Sequence, residues 1–180
     1  MMDHVRKVLS DVKRVYPGYN EEKGYELAGF VWFQGWNDMV ASGTYPNRGQ
    51  PGGYDAYTDC LAHFIRDVRK DLEAPKMKFV IGVMGVGGPL EQYASQRYVP
   101  IHGAFREAMA APSLMPEFKG NVFAVRTAKF WDMRLKELED NQERVKQMAG
   151  FLKNNHKDHS NRDGSMTVSE QKEYLEKYRR

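Results

Sequence analysis

The residues with the clearest chemical potential are Gln34, Gly35, Trp36, Asn37 and Asp38, which follow the apolar run Leu27 to Phe33 without a break. A glycine where a strand turns into a loop lets the backbone approach a ligand closely. An asparagine just beyond it can aim its side-chain amide at an oxygen that gains negative charge, as an oxyanion hole does in acyl transfer. Trp36 offers a flat apolar face beyond the turn, suited equally to lying against a sugar and to packing within the protein. Asp38 can orient Asn37 or cap the next turn.

Other polar groups suggest less. Gly82, Gly85, Gly87 and Gly88 follow a second apolar run, but their spacing is not G-x-G-x-x-G, and Pro89 stands where a phosphate-binding helix would begin. A tight turn after a strand explains them. His159, Asn161, Asp163 and Gly164, with Glu170 beyond, follow the spacing of a calcium loop. Histidine is a poor first ligand for a hard cation, and a capped polar loop is the competing reading. His4, His63 and His102 stand alone, and the place of His102 after Pro100 suits helix capping. No metal and no cofactor is expected.

The elements that must position the Gly35 block follow from apolar periodicity. Val5, Val8, Leu9, Val12 and Val15 predict an amphipathic helix over 3–16, and Leu27 to Phe33 predict a strand buried on both faces, with Trp32 and Phe33 in the core. A long polar loop leads to a helix over 54–72, in which Tyr57, Leu61, Phe64, Ile65, Val68 and Leu72 form the apolar face and Asp59, Arg66, Arg69 and Lys70 lie mostly elsewhere. A strand over 79–86, a short helix over 101–111 and a strand over 121–125 follow. Alternating helix and strand imply an α/β fold built from parallel units. Beyond Lys129 the chain is charged and strand-free: a long surface helix is predicted, and Thr167 with Glu170 forms a capping box that opens a last helix to Arg180.

Composition narrows the function classes. In 180 residues, 27 basic and 24 acidic side chains give a net charge of +3, and 41% of the residues are hydrophobic. That suits one domain with a core and argues against disorder. The charge is modest and interleaved, so no nucleic-acid partner is expected. The longest uncharged apolar stretch, Phe79 to Leu90, falls well short of the ~20 residues a bilayer span needs. The first residues are charged from Asp3 and lack the apolar segment of a signal peptide. The lone Cys60 cannot form an internal disulfide and leaves the compartment open.

Gly35-Trp36-Asn37-Asp38, placed after a buried strand, resembles the Gly-x-Asn-Asp block of the SGNH or GDSL-like hydrolases. The surrounding Trp32-Phe33-Gln34-Gly35-Trp36-Asn37-Asp38 and the long loop behind it resemble the sialate O-acetylesterase and acetylxylan esterase group, with Trp36 where that group often has Glu. The element order is similar as far as about Phe130. The resemblance implies a flavodoxin-like three-layer parallel sheet, strand order 2-1-3-4-5, and a serine that attacks an acetyl carbonyl after a histidine removes its proton. It also implies that Asn37 and Gly35 serve the oxyanion, that Gln34, Trp36 and Asp38 face the substrate, and that the partner is an acetylated carbohydrate.

The family's nucleophile block does not precede Gly35. Ser10 sits in an amphipathic helix, Asp163-Gly164-Ser165 has no strand before it, and His156 and His159 lie in no matching block. The expectation is therefore an internal segment: the family's third to fifth strands over 1–130, followed by a charged helical segment over 131–180, from a parent whose location need not be that of this chain. Strand 28–33 would lose its outer neighbour, and an apolar edge favours self-association. The alternative is a noncatalytic saccharide-binding or structural relic of that fold.

Overall fold

The computed structural model describes residues 1–93 and 96–178. Three parallel strands, β1 (Gly29–Trp32), β2 (Lys78–Val83) and β3 (Val122–Arg126), make one sheet in the order β1-β2-β3. Phe30 stands beside Phe79, and Phe79 beside Val122, which fixes the register across all three. Parallel neighbours need a crossover, and helices supply both. In chain order the helices of this part are α1 (Met2–Leu9), α2 (Trp36–Val40), α3 (Asp55–Asp71) and α4 (Val99–Ala110). The α/β class expected from the sequence is the class observed.

The core lies on one face of the sheet. Tyr57, Leu61 and Ile65 of α3 and Phe105 and Met109 of α4 meet Phe79, Ile81 and Val83 of β2. Burying each such side chain contributes about 1.5–3 kcal/mol. Arg69, expected on the polar side of α3, is buried instead. Its guanidinium donates to the carbonyl of Met77 (3.0 Å) and to the carbonyl and side-chain oxygens of Asn121 (3.1 and 2.8 Å). A buried cation needs such acceptors, and here they tie α3 to the chain entering β2 and β3.

Two expectations are corrected. The helix predicted over 3–16 stops at Leu9, because the Asp11 carboxylate accepts from the Arg14 backbone N–H and opens a separate 3₁₀ turn. Strand β1 is not buried on both faces. Side chains alternate along a strand, so Phe30 and Trp32 turn to the core while Val31 and Phe33 turn outward, 70% and 64% exposed. Phe33 is therefore not a core residue. Its ring lies over Gly82, where a Cβ would come within 2.4 Å of it. Phe123 and Val125 of β3 are also exposed.

Residues Met1–Trp131 form one compact unit, and a second begins at Asp132. The second contains α5 (Met133–Lys153), whose first turn is capped by Asp132, and α6 (Val168–Glu176), opened by the expected Thr167–Glu170 capping box. Of the predicted extension to Arg180, residues 179–180 lie outside the described residues. Between the helices, buried Asn161 donates to the Leu152 carbonyl (2.8 Å) and accepts from the Met166 N–H (2.8 Å).

As an outer strand with an apolar face, β1 predicts association. Val31→Lys is expected to lower both dye binding to exposed apolar surface and the concentration dependence of the sedimentation coefficient, with the circular dichroism spectrum unchanged. A wild-type chain that sediments as a monomer at every concentration would remove this expectation.

Candidate functional site

At the carboxyl end of β1 the chain passes through Phe33 and Gln34 and turns at Gly35 into α2. Gly35 is there because nothing larger fits: a Cβ would lie 2.7 Å from the Phe105 ring and 3.3 Å from the Tyr57 hydroxyl. Tyr57 donates that hydroxyl to the Gln34 carbonyl (3.2 Å) and receives the Trp32 indole N–H at 3.4 Å. Burial pushes its pKa up to about 12, so the phenol keeps its proton and the turn keeps its donor. The Met39 N–H closes α2 onto the Gly35 carbonyl (2.9 Å).

The five residues singled out from the sequence have different surroundings. Gly35 is buried under the turn, and Gln34 is exposed with its backbone engaged by Tyr57. Asn37 is exposed, and its side chain has no hydrogen-bond partner among the described residues. Asp38 neither orients Asn37 nor caps the helix. Its carboxylate accepts from the Tyr45 hydroxyl at 3.5 Å. Trp36, half exposed, lines a cavity of about 470 Å³ with Arg48, Tyr98, Ile101 and His102. None of the other four lines it.

His102 was the candidate hidden by its position. It is not a helix cap: α4 starts at Val99, and no side chain among the described residues caps its N-terminus. Instead His102 is half-buried, with Nδ1 2.8 Å from the Tyr93 hydroxyl. The same hydroxyl binds the Val86 carbonyl and receives Arg106 Nη2 at 3.0 Å. Arg106 is buried and also donates to the carbonyls of Val86 (3.0 Å) and Gly88 (2.9 Å). Tyr98 at the N-cap of α4 and His102 and Arg106 within it recur every fourth residue, a spacing that places them on one side of the helix. That recurrence was the available signal.

The glycine-rich stretch after β2 is the turn expected. Gly87 and Gly88 take φ of 82° and 81°, a conformation glycine adopts freely. Carbonyls, not N–H groups, face inward from this turn onto Arg106. A phosphate needs the opposite polarity. At the carboxyl ends of β2 and β3 a second cavity, about 300 Å³, is lined by Met84, Arg106, Thr127 and the Glu107–Arg126 ion pair (2.8 Å).

The calcium-loop pattern is used within the fold. Asn161 holds backbone groups, Asp163 accepts from Ser165, and Glu170 belongs to the capping box with Thr167. His156 and His159 pack around Phe151, His159 stacked at 4.3 Å. Among the described residues, no three His, Cys, Asp or Glu side chains gather where a metal ion could be held.

Comparison with protein-family models, with the curated proteins and with solved structures finds no match in any of the three. Geometry and residue chemistry therefore carry the functional argument.

Two outcomes follow from this geometry. Gly35→Ala forces Phe105 to move and is expected to cost about 1–3 kcal/mol in urea unfolding, part of it recovered by adding Phe105→Leu. Equal stability of Gly35→Ala and wild type would show that the turn yields freely. The second outcome concerns acid. Burial first, then the Arg106 charge, hold the His102 pKa below its ordinary 6.5, against the pull of the Val86 carbonyl. Tyr93, Tyr98 and Arg48 complete its surroundings, and none supplies a negative charge. The unfolded chain takes up a proton there more readily than the fold. Stability is thus full above pH 6.5 and lost as pH falls through the depressed folded value. His102→Gln should flatten this part of the stability–pH curve, whereas an unchanged slope would assign it to other groups.

Proposed function

We propose that this chain carries the oxyanion block and part of the sugar pocket of a carbohydrate O-acetylesterase, a serine hydrolase that removes acetyl esters from sugars, on a flavodoxin-like three-layer SGNH-type sheet. The observation that carries the reading is at the carboxyl end of β1. There Asn37 is exposed with its amide uncommitted among the described residues, and adjacent Trp36 lines a 470 Å³ cavity. In open α/β sheets that end of the strands is where ligands bind. An all-parallel β1-β2-β3 order is also what the third to fifth strands of a 2-1-3-4-5 sheet would give.

In the proposed reaction a serine hydroxyl, deprotonated by a histidine, adds to the acetyl carbonyl. The sugar leaves as its alcohol with that proton, and water then releases acetate from the acyl-enzyme. The Asn37 side-chain amide donates to the oxyanion in both steps, alongside backbone N–H groups. The turn at Gly35 brings the chain there, and Gln34, Trp36 and Asp38 belong to the substrate side. No cofactor enters this chemistry, and the partner is an acetylated carbohydrate.

A second reading, saccharide binding without chemistry, draws support from the cavity itself, whose lining contains no serine or cysteine among the described residues. One experiment separates the two. In the native open reading frame that encodes these residues, Asn37→Ala is expected to lower kcat on an aryl acetate by roughly 10² to 10³, with KM little changed. Undiminished hydrolysis in Asn37→Ala would remove Asn37 from the oxyanion site. Glycan binding with no hydrolysis by the unaltered protein would favour the second reading.

A further inference from the structure

Two half-exposed aromatic rings, Trp36 (49% exposed) and Tyr98 (46%), line the same cavity as His102 and Arg48. Apolar walls with a few placed polar groups are the usual make-up of a small-ligand site, and 470 Å³ is within the common size range. Exposed aromatic faces suit the apolar C–H faces of a pyranose. The sugar's hydroxyls then need partners, and the protonation state of His102 decides what it can offer.

That state follows from counting protons around Tyr93. Its hydroxyl has one hydrogen and three neighbours: the Val86 carbonyl, His102 Nδ1 and Arg106 Nη2. A carbonyl can only accept and a guanidinium can only donate. The phenol hydrogen must therefore go to Val86, and the phenol oxygen must receive the other two. His102 then donates from Nδ1. With burial and the nearby Arg106 charge keeping the ring neutral, Nε2 is left with a lone pair. The Tyr93 hydroxyl engages Nδ1 and not Nε2, and no buried side-chain nitrogen or oxygen among the described residues lacks a hydrogen-bond partner.

We propose that the Trp36–Tyr98 cavity is a pyranose subsite in which His102 Nε2 accepts a hydrogen bond from a sugar hydroxyl, with Tyr93 as the positioning residue that fixes the tautomer. Arg48, held by its Nη1 bond to the Val40 carbonyl (2.6 Å), presents its remaining N–H groups to sugar oxygens. Acceptor and donor together select a hydroxyl beside another oxygen, the arrangement around a pyranose ring. This rests on the saccharide half of the reading above and not on ester chemistry.

The test begins without ligand. In the full chain labelled with ¹⁵N-histidine, the imidazole shifts of His102 should report hydrogen on Nδ1 and a bare Nε2. Tyr93→Phe, which removes the acceptor for that hydrogen, should shift the population toward the other tautomer. The chain is then titrated with methyl β-D-xylopyranoside, methyl α-D-glucopyranoside and methyl α-D-galactopyranoside. Saturation by at least one should quench tryptophan fluorescence and move the Nε2 resonance. His102→Leu should weaken that binding up to about tenfold. His102→Gln, which places an amide oxygen where Nε2 was, should recover most of it.

A hydrogen on Nε2 in the free chain overturns the proposal, as does equal binding by His102→Leu. Binding that quenches tryptophan yet leaves the His102 nitrogens unmoved removes His102 while keeping a sugar site. Failure of all three glycosides to bind overturns the subsite and the saccharide reading together. Binding with the expected shifts but no ester hydrolysis by the native protein leaves this inference standing and removes only the esterase.

Discussion

Phe105 occupies the space that a side chain at residue 35 would need, and the upper part of the first unit is arranged around that contact. The ring is fully buried, edge-on to Tyr54 at 4.9 Å and tilted against Tyr57 at 4.7 Å. It thus joins α4 to α3 directly beneath the β1–α2 turn. Close packing of this kind transmits displacement, since interiors have little room in which to absorb it. The direction in which Asn37 and Trp36 leave the turn is set by an aromatic ring seventy positions later in the chain.

Buried cations organise the same unit in a second way. Arg69 and Arg106 are both buried, and their hydrogen bonds go to backbone carbonyls, an amide oxygen and a phenol. A guanidinium has five donors in a fixed fork, so one side chain can hold several loop carbonyls at once. Arg69 does this beneath the entries to β2 and β3. Arg106 does it around the turn after β2, where Gly87 and Gly88 take positive φ and the carbonyls of Val86 and Gly88 face inward. The exposed pairs Arg66–Glu117 and Glu107–Arg126 are screened by water and contribute far less.

This division explains what could be read in the sequence. The strands, α3 and α4 were legible within a few residues, because Leu61, Ile65 and Val68, or Phe79 and Ile81, repeat at the spacing of the element they form. The capping box at Thr167 was legible because its mechanism needs only four consecutive positions. Val31 and Phe33 were misread because an unbroken apolar run looks the same whether one face is covered or two. Arg69 was misread because arginine is usually exposed, and only the carbonyls of Met77 and Asn121, distant in sequence or bound by the turn before β2, show why it is not. His102 was misread because its role lies in Tyr93 and Arg106, and a lone histidine after a proline carries no trace of them.

Asn37 and Asp38 are neighbours in sequence with opposite states of commitment. Asp38 is half-buried and engaged by Tyr45, which fits a residue that secures the loop following α2. Asn37 is exposed and, among the described residues, uncommitted. A group that stabilises developing charge must be uncommitted in the resting state, because breaking a prior hydrogen bond would return part of the energy it later supplies. It must also be held in place, or the gain is spent on ordering it. Here the holding falls to the backbone: Gly35 is fixed under Phe105, the Gln34 carbonyl is bound by Tyr57, and Met39 closes the helix onto Gly35. Rigidity in the chain and freedom in the side chain are thus separated at adjacent atoms, the division of labour that the proposed oxyanion donation would require.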